Sequence, residues 1–271
     1  MSQEELNYKQ NKNVNELNEV FKNEKKSIYT LIILAIIIFV FIIIISIFVA
    51  HSGSEEINPI FDNTEFVIIN EEIPEILTEL RYYTSFNFIG EKIDGYEEPV
   101  AIIKREAIEN LRKASEYFYK DGYVIKIWDS YRPLKAVKHF IDWKNNDDVK
   151  MKDYFFPNKN KSQLFDDNFI SNTSSHSRGC TLDLTLVNKK TGLEVDFGTS
   201  FDLFDEKSFT NYFEITDKQK EMRQYLKKIM EENGFENLPN EWWHYTLKNE
   251  KCNENYDFAV NATKIKHKIF E

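Results

Sequence analysis

Two of the five histidines, His176 and His244, have neighbours that could share a metal ion with them. His176 lies in the polar run Ser174-Ser175-His176-Ser177-Arg178-Gly179, which leads into a strand-like segment bearing Asp183. A loop imidazole and a strand carboxylate at that spacing can converge, and this donor pair suits Zn2+. A second imidazole comes from Glu241-Trp242-Trp243-His244-Tyr245, with a carboxylate three residues earlier. A catalytic zinc site needs three protein ligands, an open position for water and a base beside that water. His176, Asp183 and His244 would form the ligand set and Glu241 the base. Residues three apart on a flat strand face opposite sides, so Glu241 must precede the strand or sit at a bend, which Pro239-Asn240 permits.

Plainer readings stand beside this one. Buried histidines are often simply hydrogen-bonded, Asp183 could pair with Arg178, Arg132 could be a structural cation, and Trp242-Trp243 reads as core. Cys180 lies between His176 and Asp183, but a further thiolate ligand would close the site to water, so it reads as a small filler. Whether Cys180 pairs with Cys252 the sequence leaves open. His51, His139 and His267 fall in a linker, a helix and a Lys-rich tail.

Positioning these groups requires a mixed α+β domain. Arg105 to Lys120 places Ile108, Leu111, Ala114 and Phe118 on one helical face, and Gly122 stops the helix. Tyr123 to Trp128 is a short apolar strand. It leads into Ser130-Tyr131-Arg132-Pro133, where the proline disfavours helix at Arg132 and opens the next one, Pro133 to Trp143. Thr181 to Val187 alternates strictly, which sets Leu182, Leu184 and Leu186 toward a core and Thr181, Asp183 and Thr185 the other way, so that Asp183 points at a polar cleft. Thr216 and Gln219 form a capping box for a helix with a Met222, Tyr225, Leu226, Ile229, Met230 stripe, ended by Gly234. Trp242 to Leu247 reads as a strand. Unequal runs of helix and strand, without regular βαβ alternation, favour α+β over α/β.

The 271 residues are 42% hydrophobic and 30% charged, with two cysteines and a net charge of −10. That composition excludes collagen-like, disulfide-scaffold and wholly disordered chains, and the acidic balance argues against a nucleic-acid partner. Ile28 to Ala50 is an uncharged apolar run of 23 residues. At about 1.5 Å per residue it spans roughly a 30 Å hydrocarbon core, so it reads as a single transmembrane helix. A cleaved signal peptide is the competing reading, although its apolar run usually covers only about 7 to 15 residues. Lys22, Lys25 and Lys26 precede the run and no Lys or Arg follows before Arg81, which places residues 1–27 in the cytoplasm and the globular part outside. Residues 51–65 read as a linker and 66–271 as the single catalytic domain.

Five landmarks follow in order: LRYYTSFNFIGEKIDGY from Leu80, IKIWDSYRPLKAVKHF from Ile125, SSHSRGCTLDLTL from Ser174, DFGTSFDLFDE from Asp196, and EWWHY from Glu241. Together they resemble the D-alanyl-D-alanine dipeptidases of the vancomycin-resistance type, within the zinc D,D-peptidase superfamily, from about Phe66 to Ala262. The family pattern Ser-x-His-x-x-Gly-x-Ala-x-Asp is met at Ser174, His176, Gly179 and Asp183, with Thr181 where the family has Ala. The resemblance implies one zinc ion on His176, Asp183 and His244, Glu241 as base and Arg132 as stabiliser of the tetrahedral intermediate. It also implies that Asp202 holds the substrate ammonium and that Ser174 lines the pocket. The expected reaction is hydrolysis of D-alanyl-D-alanine to two D-alanines. Two rivals remain: an anchored zinc D,D-carboxypeptidase trimming peptidoglycan stems, and a non-catalytic cell-wall binding or sensor protein. The resistance enzymes are soluble and cytoplasmic, whereas an outward-facing domain would meet wall-derived or environmental dipeptides.

Overall fold

The computed structural model describes residues 36–41, 65–249 and 251–266. The chain divides into two units, Met1–Ile60 and Phe61–Glu271. In the first, residues 36–41 are helical and their apolar side chains exposed. The remainder of the expected membrane span, the segment 1–27 and nearly all of the expected linker lie outside the described residues. Among the described residues no helix is long and apolar enough to cross a membrane.

The second unit mixes helix and strand, as the unequal runs predict. Its strands are β1 (Phe66–Ile68), β2 (Leu77–Thr78), β3 (Ile102–Lys104), β4 (Tyr123–Asp129), β5 (Thr181–Asn188), β6 (Phe235–Asn237) and β7 (His244–Leu247). Five form one sheet in the order β2-β4-β5-β7-β6, parallel only between β2 and β4, while β1 and β3 pair separately. Helix α1 (Arg105–Lys120) buries Ile108, Leu111, Ala114 and Phe118, the face its 3.6-residue period predicts. Helix α2 (Leu134–Lys144) starts one residue later than expected, because Pro133 keeps an extended ψ of 153° and acts as the cap. Helix α3 (Asp217–Glu232) opens on the expected Thr216–Gln219 capping box. Its buried face includes Arg223 rather than Tyr225, whose hydroxyl reaches out to donate to Asp121 at 2.7 Å.

Thr181, Asp183 and Thr185 alternate with the leucines and Asp183 lines the cavity, as expected, while Thr181 and Thr185 are fully buried. The Thr181 hydroxyl is satisfied within the sheet, 2.9 Å from that of Thr246 on β7. One local expectation is corrected. The last strand begins only at His244, because the Asn237 amide donates to the carbonyls of Glu241 and His244, at 3.0 and 3.1 Å, and closes a turn there. Trp242 and Trp243 lie in that turn and are core residues, Trp242 stacking on Phe197 at 4.2 Å.

Cys180 is more than a filler: it forms a disulfide with Cys252, Cα atoms 5.9 Å apart and 72 residues apart in the chain. The bridge ties the C-terminal segment to the residue before β5. Closing a loop of that length restricts the unfolded chain, an effect on the order of 4 kcal/mol in the chain-entropy account.

Candidate active site

The ligand candidates come together through strand register. A bulge between Ile127 and Asp129 shifts the β4–β5 pairing so that Asp129 faces Asp183, and Asp183 in turn faces His244 on β7. Three strands thus present Asp129, Asp183 and His244 in one cross-strand row. His176 reaches the row from the 3-10 turn Ser175–Arg178, which Ser174 caps by accepting from the His176 amide. Gly179 ends the turn at φ +78°, and a Cβ there would fall 2.4 Å from the Phe66 ring, so this position requires glycine. Its carbonyl accepts from the Lys104 amide at 2.7 Å, pinning the turn to β3.

His176, Asp183 and His244 are buried, and one ligand atom from each lies within 4.8 Å of the others. His176 Nδ1 donates to the Ser130 carbonyl at 2.7 Å, which leaves Nε2 as the lone-pair atom, 3.2 Å from Asp183 Oδ2. The other imidazole is reversed. His244 Nε2 lies 3.2 Å from the Ser175 hydroxyl, and its Nδ1 faces inward, 3.0 Å from Asp183 Oδ1 and 3.4 Å from Glu241 Oε2. Asp183 Oδ1 is buried without accepting any hydrogen bond. Lone pairs crowded around an orphaned carboxylate oxygen are the arrangement a bound cation resolves.

Glu241 precedes β7 at the bend that Pro239-Asn240 allows, the His244 amide donating to its carbonyl at 3.2 Å. Arg132 sits on the expected strand-to-helix corner. Its Nε donates to Asp129 Oδ2 at 2.9 Å, its Nη2 lies 3.5 Å from Asp183 Oδ2, and its guanidinium stands 4.9 Å over the Tyr82 ring. The cation beside Asp183 is therefore Arg132, not the Arg178 that sequence proximity offered. Asp202 is buried, left-handed at φ +59°, and accepts from the Tyr82 hydroxyl at 2.8 Å. Together with Ser174, these groups line a cavity of about 480 Å3.

A family model described as D-ala-D-ala dipeptidase matches residues 62–261. The chain belongs to that family. It is similar to a D-alanyl-D-alanine dipeptidase of Enterococcus faecium, 36% identical over 72% of this chain and 98% of the relative. The corresponding enzyme of Streptomyces coelicolor is 33% identical over the same shares. A solved vancomycin-resistance D,D-pentapeptidase in complex with Zn(II) aligns with 58% of this chain and 78% of its own, at 14% identity and a TM-score of 0.35, too loosely to bear on the site.

The chain is thus a metallo-dipeptidase, and its buried His-Asp-His group fits the Zn2+ of this zinc-dependent family. Burial disfavours charge on His244, but Asp183 and Glu241 outweigh it and push its pKa up to about 9. Burial also works against the Asp183 carboxylate, yet His176 and His244 hold it below the usual range. At Asp202 burial comes first and the Asp183 and Glu241 carboxylates add to it, so its pKa is pushed well up.

No local pattern marks Asp129 as a site residue, although it lies in the Trp-Asp-Ser-Tyr-Arg-Pro corner. It is fully buried, accepts from the Tyr96 hydroxyl at 2.6 Å, and orients Arg132. Its only sequence signal was a carboxylate three residues before the arginine. Tyr82, in the Leu80 landmark, likewise carried no sign that it would bond Asp202.

Proposed function

We propose that the dipeptidase hydrolyses D-alanyl-D-alanine to two D-alanines, with zinc held by His176 Nε2, the Asp183 carboxylate and His244 Nδ1. Zinc bound there supplies Lewis-acid polarisation of the scissile carbonyl and makes water more acidic. Glu241 takes the proton of the attacking water and returns it to the departing amine as the C–N bond breaks. Arg132 places positive charge where the carbonyl oxygen becomes an oxyanion. Ser174 shapes the wall beside the metal group.

The observation that carries a dipeptide substrate, rather than a longer peptide, is Asp202. A buried carboxylate on the cavity wall, with Tyr82 as its hydrogen-bond donor, is suited to a free ammonium. An N-acylated substrate would put a neutral amide there and leave that demand unmet. Release of D-alanine by the zinc-loaded protein from D-alanyl-D-alanine and from an N-acylated D-alanyl-D-alanine peptide tests this. Cleavage at least about 100-fold faster for the free dipeptide is expected. Equal or preferred cleavage of the acylated peptide would move the reading to the wall carboxypeptidase.

The same proposal keeps the N-terminal anchor, with residues 1–27 cytoplasmic, 28–50 in the membrane and the catalytic domain of 66–271 outside. The uncharged run and its lysine flank support it, as do the exposed apolar helical residues 36–41. The Cys180–Cys252 disulfide fits an oxidising compartment. Protease added to intact cells should remove the catalytic domain. A domain protected until lysis would overturn the orientation.

A further inference from the structure

The cavity wall carries two cations, and they are not equivalent. Arg132 is engaged by Asp129 and Asp183. Arg178 lines the same cavity and is partly buried, yet its guanidinium makes no hydrogen bond or ion pair with any described residue. Glu236, the other carboxylate on that wall outside the metal and ammonium groups, is paired with Lys248 at 3.1 Å. The backbone that holds Arg178 is fixed. It closes the His176 turn, Gly179 N–H donates to the His176 carbonyl at 2.9 Å, and the Arg132 amide donates to that carbonyl at 3.3 Å. A guanidinium on a rigid stem beside the metal group, without a protein anion of its own, is matched to a ligand anion.

Resting on the dipeptide reading above, we propose that Arg178 is the subsite for the substrate's terminal α-carboxylate. The cavity then complements a zwitterion: Asp202 meets the ammonium at one end and Arg178 the carboxylate at the other, with the scissile bond between them. Ligands of this subsite are small peptides that end in a free carboxylate. C-terminal amides and esters bind about ten-fold more weakly because they leave the guanidinium without an anion and bring only a neutral group to it.

The test uses the zinc-loaded full chain as wild type, R178K and R178Q, with D-alanyl-D-alanine and its C-terminal amide. R178Q should raise KM for the dipeptide about ten-fold, a value reduced from that of a buried pair because the side chain is partly exposed. Its kcat should stay within about three-fold and its KM for the amide should not move, so that discrimination collapses. R178K should recover part of it. Equal losses on both substrates, or no change on either, would overturn the assignment. Binding measured by calorimetry in an E241Q background decides the same point without turnover. R178Q should weaken the dipeptide about ten-fold and leave the amide unchanged. Failure of the wild type to cleave the dipeptide would sink the dipeptidase reading, while this binding arm would still decide Arg178.

Discussion

Glu241→Gln lowers kcat on D-alanyl-D-alanine by roughly 10^3-fold while the protein keeps its full zinc content. Glu241 Oε2 lies 3.4 Å from His244 Nδ1, at the edge of the metal group, and the carboxylate is one of the groups lining the cavity. Gln preserves its size and can still hydrogen-bond, but it accepts no proton at neutral pH. Loss of a positioned general base typically costs about 10^2 to 10^4 in rate. The turn around Glu241 is held by Asn237 and by the buried Trp242, whose indole N–H donates to Thr199 at 2.8 Å, so the substitution leaves the fold intact. Steady-state kinetics with metal analysis on the same sample check it. Undiminished turnover would remove Glu241 from the mechanism, and undetectable turnover in the wild type as well would leave the binding-protein reading.

Arg132→Lys is expected to lower kcat by about 10^2- to 10^3-fold with a much smaller change in KM, the pattern for a donor that acts mainly on the developing oxyanion. The reason lies in how the guanidinium is held. Its Nε is occupied by Asp129, its Nη2 lies by Asp183, and its plane stands over Tyr82 and Phe140 at 4.9 and 5.3 Å. A lysine ammonium can satisfy one of those partners but cannot span them. Arg132→Ala goes further, leaving the fully buried Asp129 without its cation, and should destabilise the fold by about 3 to 5 kcal/mol. Thermal unfolding of the two variants separates the effects: a lysine variant as active as wild type would exclude the oxyanion role, and an alanine variant of unchanged Tm would exclude the ion-pair account.

The elements that sequence periodicity governs were legible before any coordinates. The bounds of α1 and the capping box of α3 follow from apolar spacing and from side-chain-to-backbone bonds made within a few residues. The corner at Arg132 follows from the proline after it. The bend at Glu241 was required by the three-residue spacing to His244, and the Asn237 amide is what closes it. Errors arose where neighbours distant in the chain decide the outcome. Cys180 read as a small filler because no local pattern shows that Cys252, 72 residues on, returns to bond it.

By itself, the sequence determined the mixed fold class, the family and the set of residue types able to hold a metal, because each rests on local pattern or on ordered landmarks. Tertiary structure alone decided which of those residues meet. The β4 bulge put Asp129 opposite Asp183. The covering of the turn by Phe66 made Gly179 obligatory, and the return of the C-terminal segment paired Cys252 with Cys180. Strand register and long-range closure are set by the whole packed sheet, so no local spacing reveals that Asp129 faces Asp183 or that Cys252 returns to Cys180.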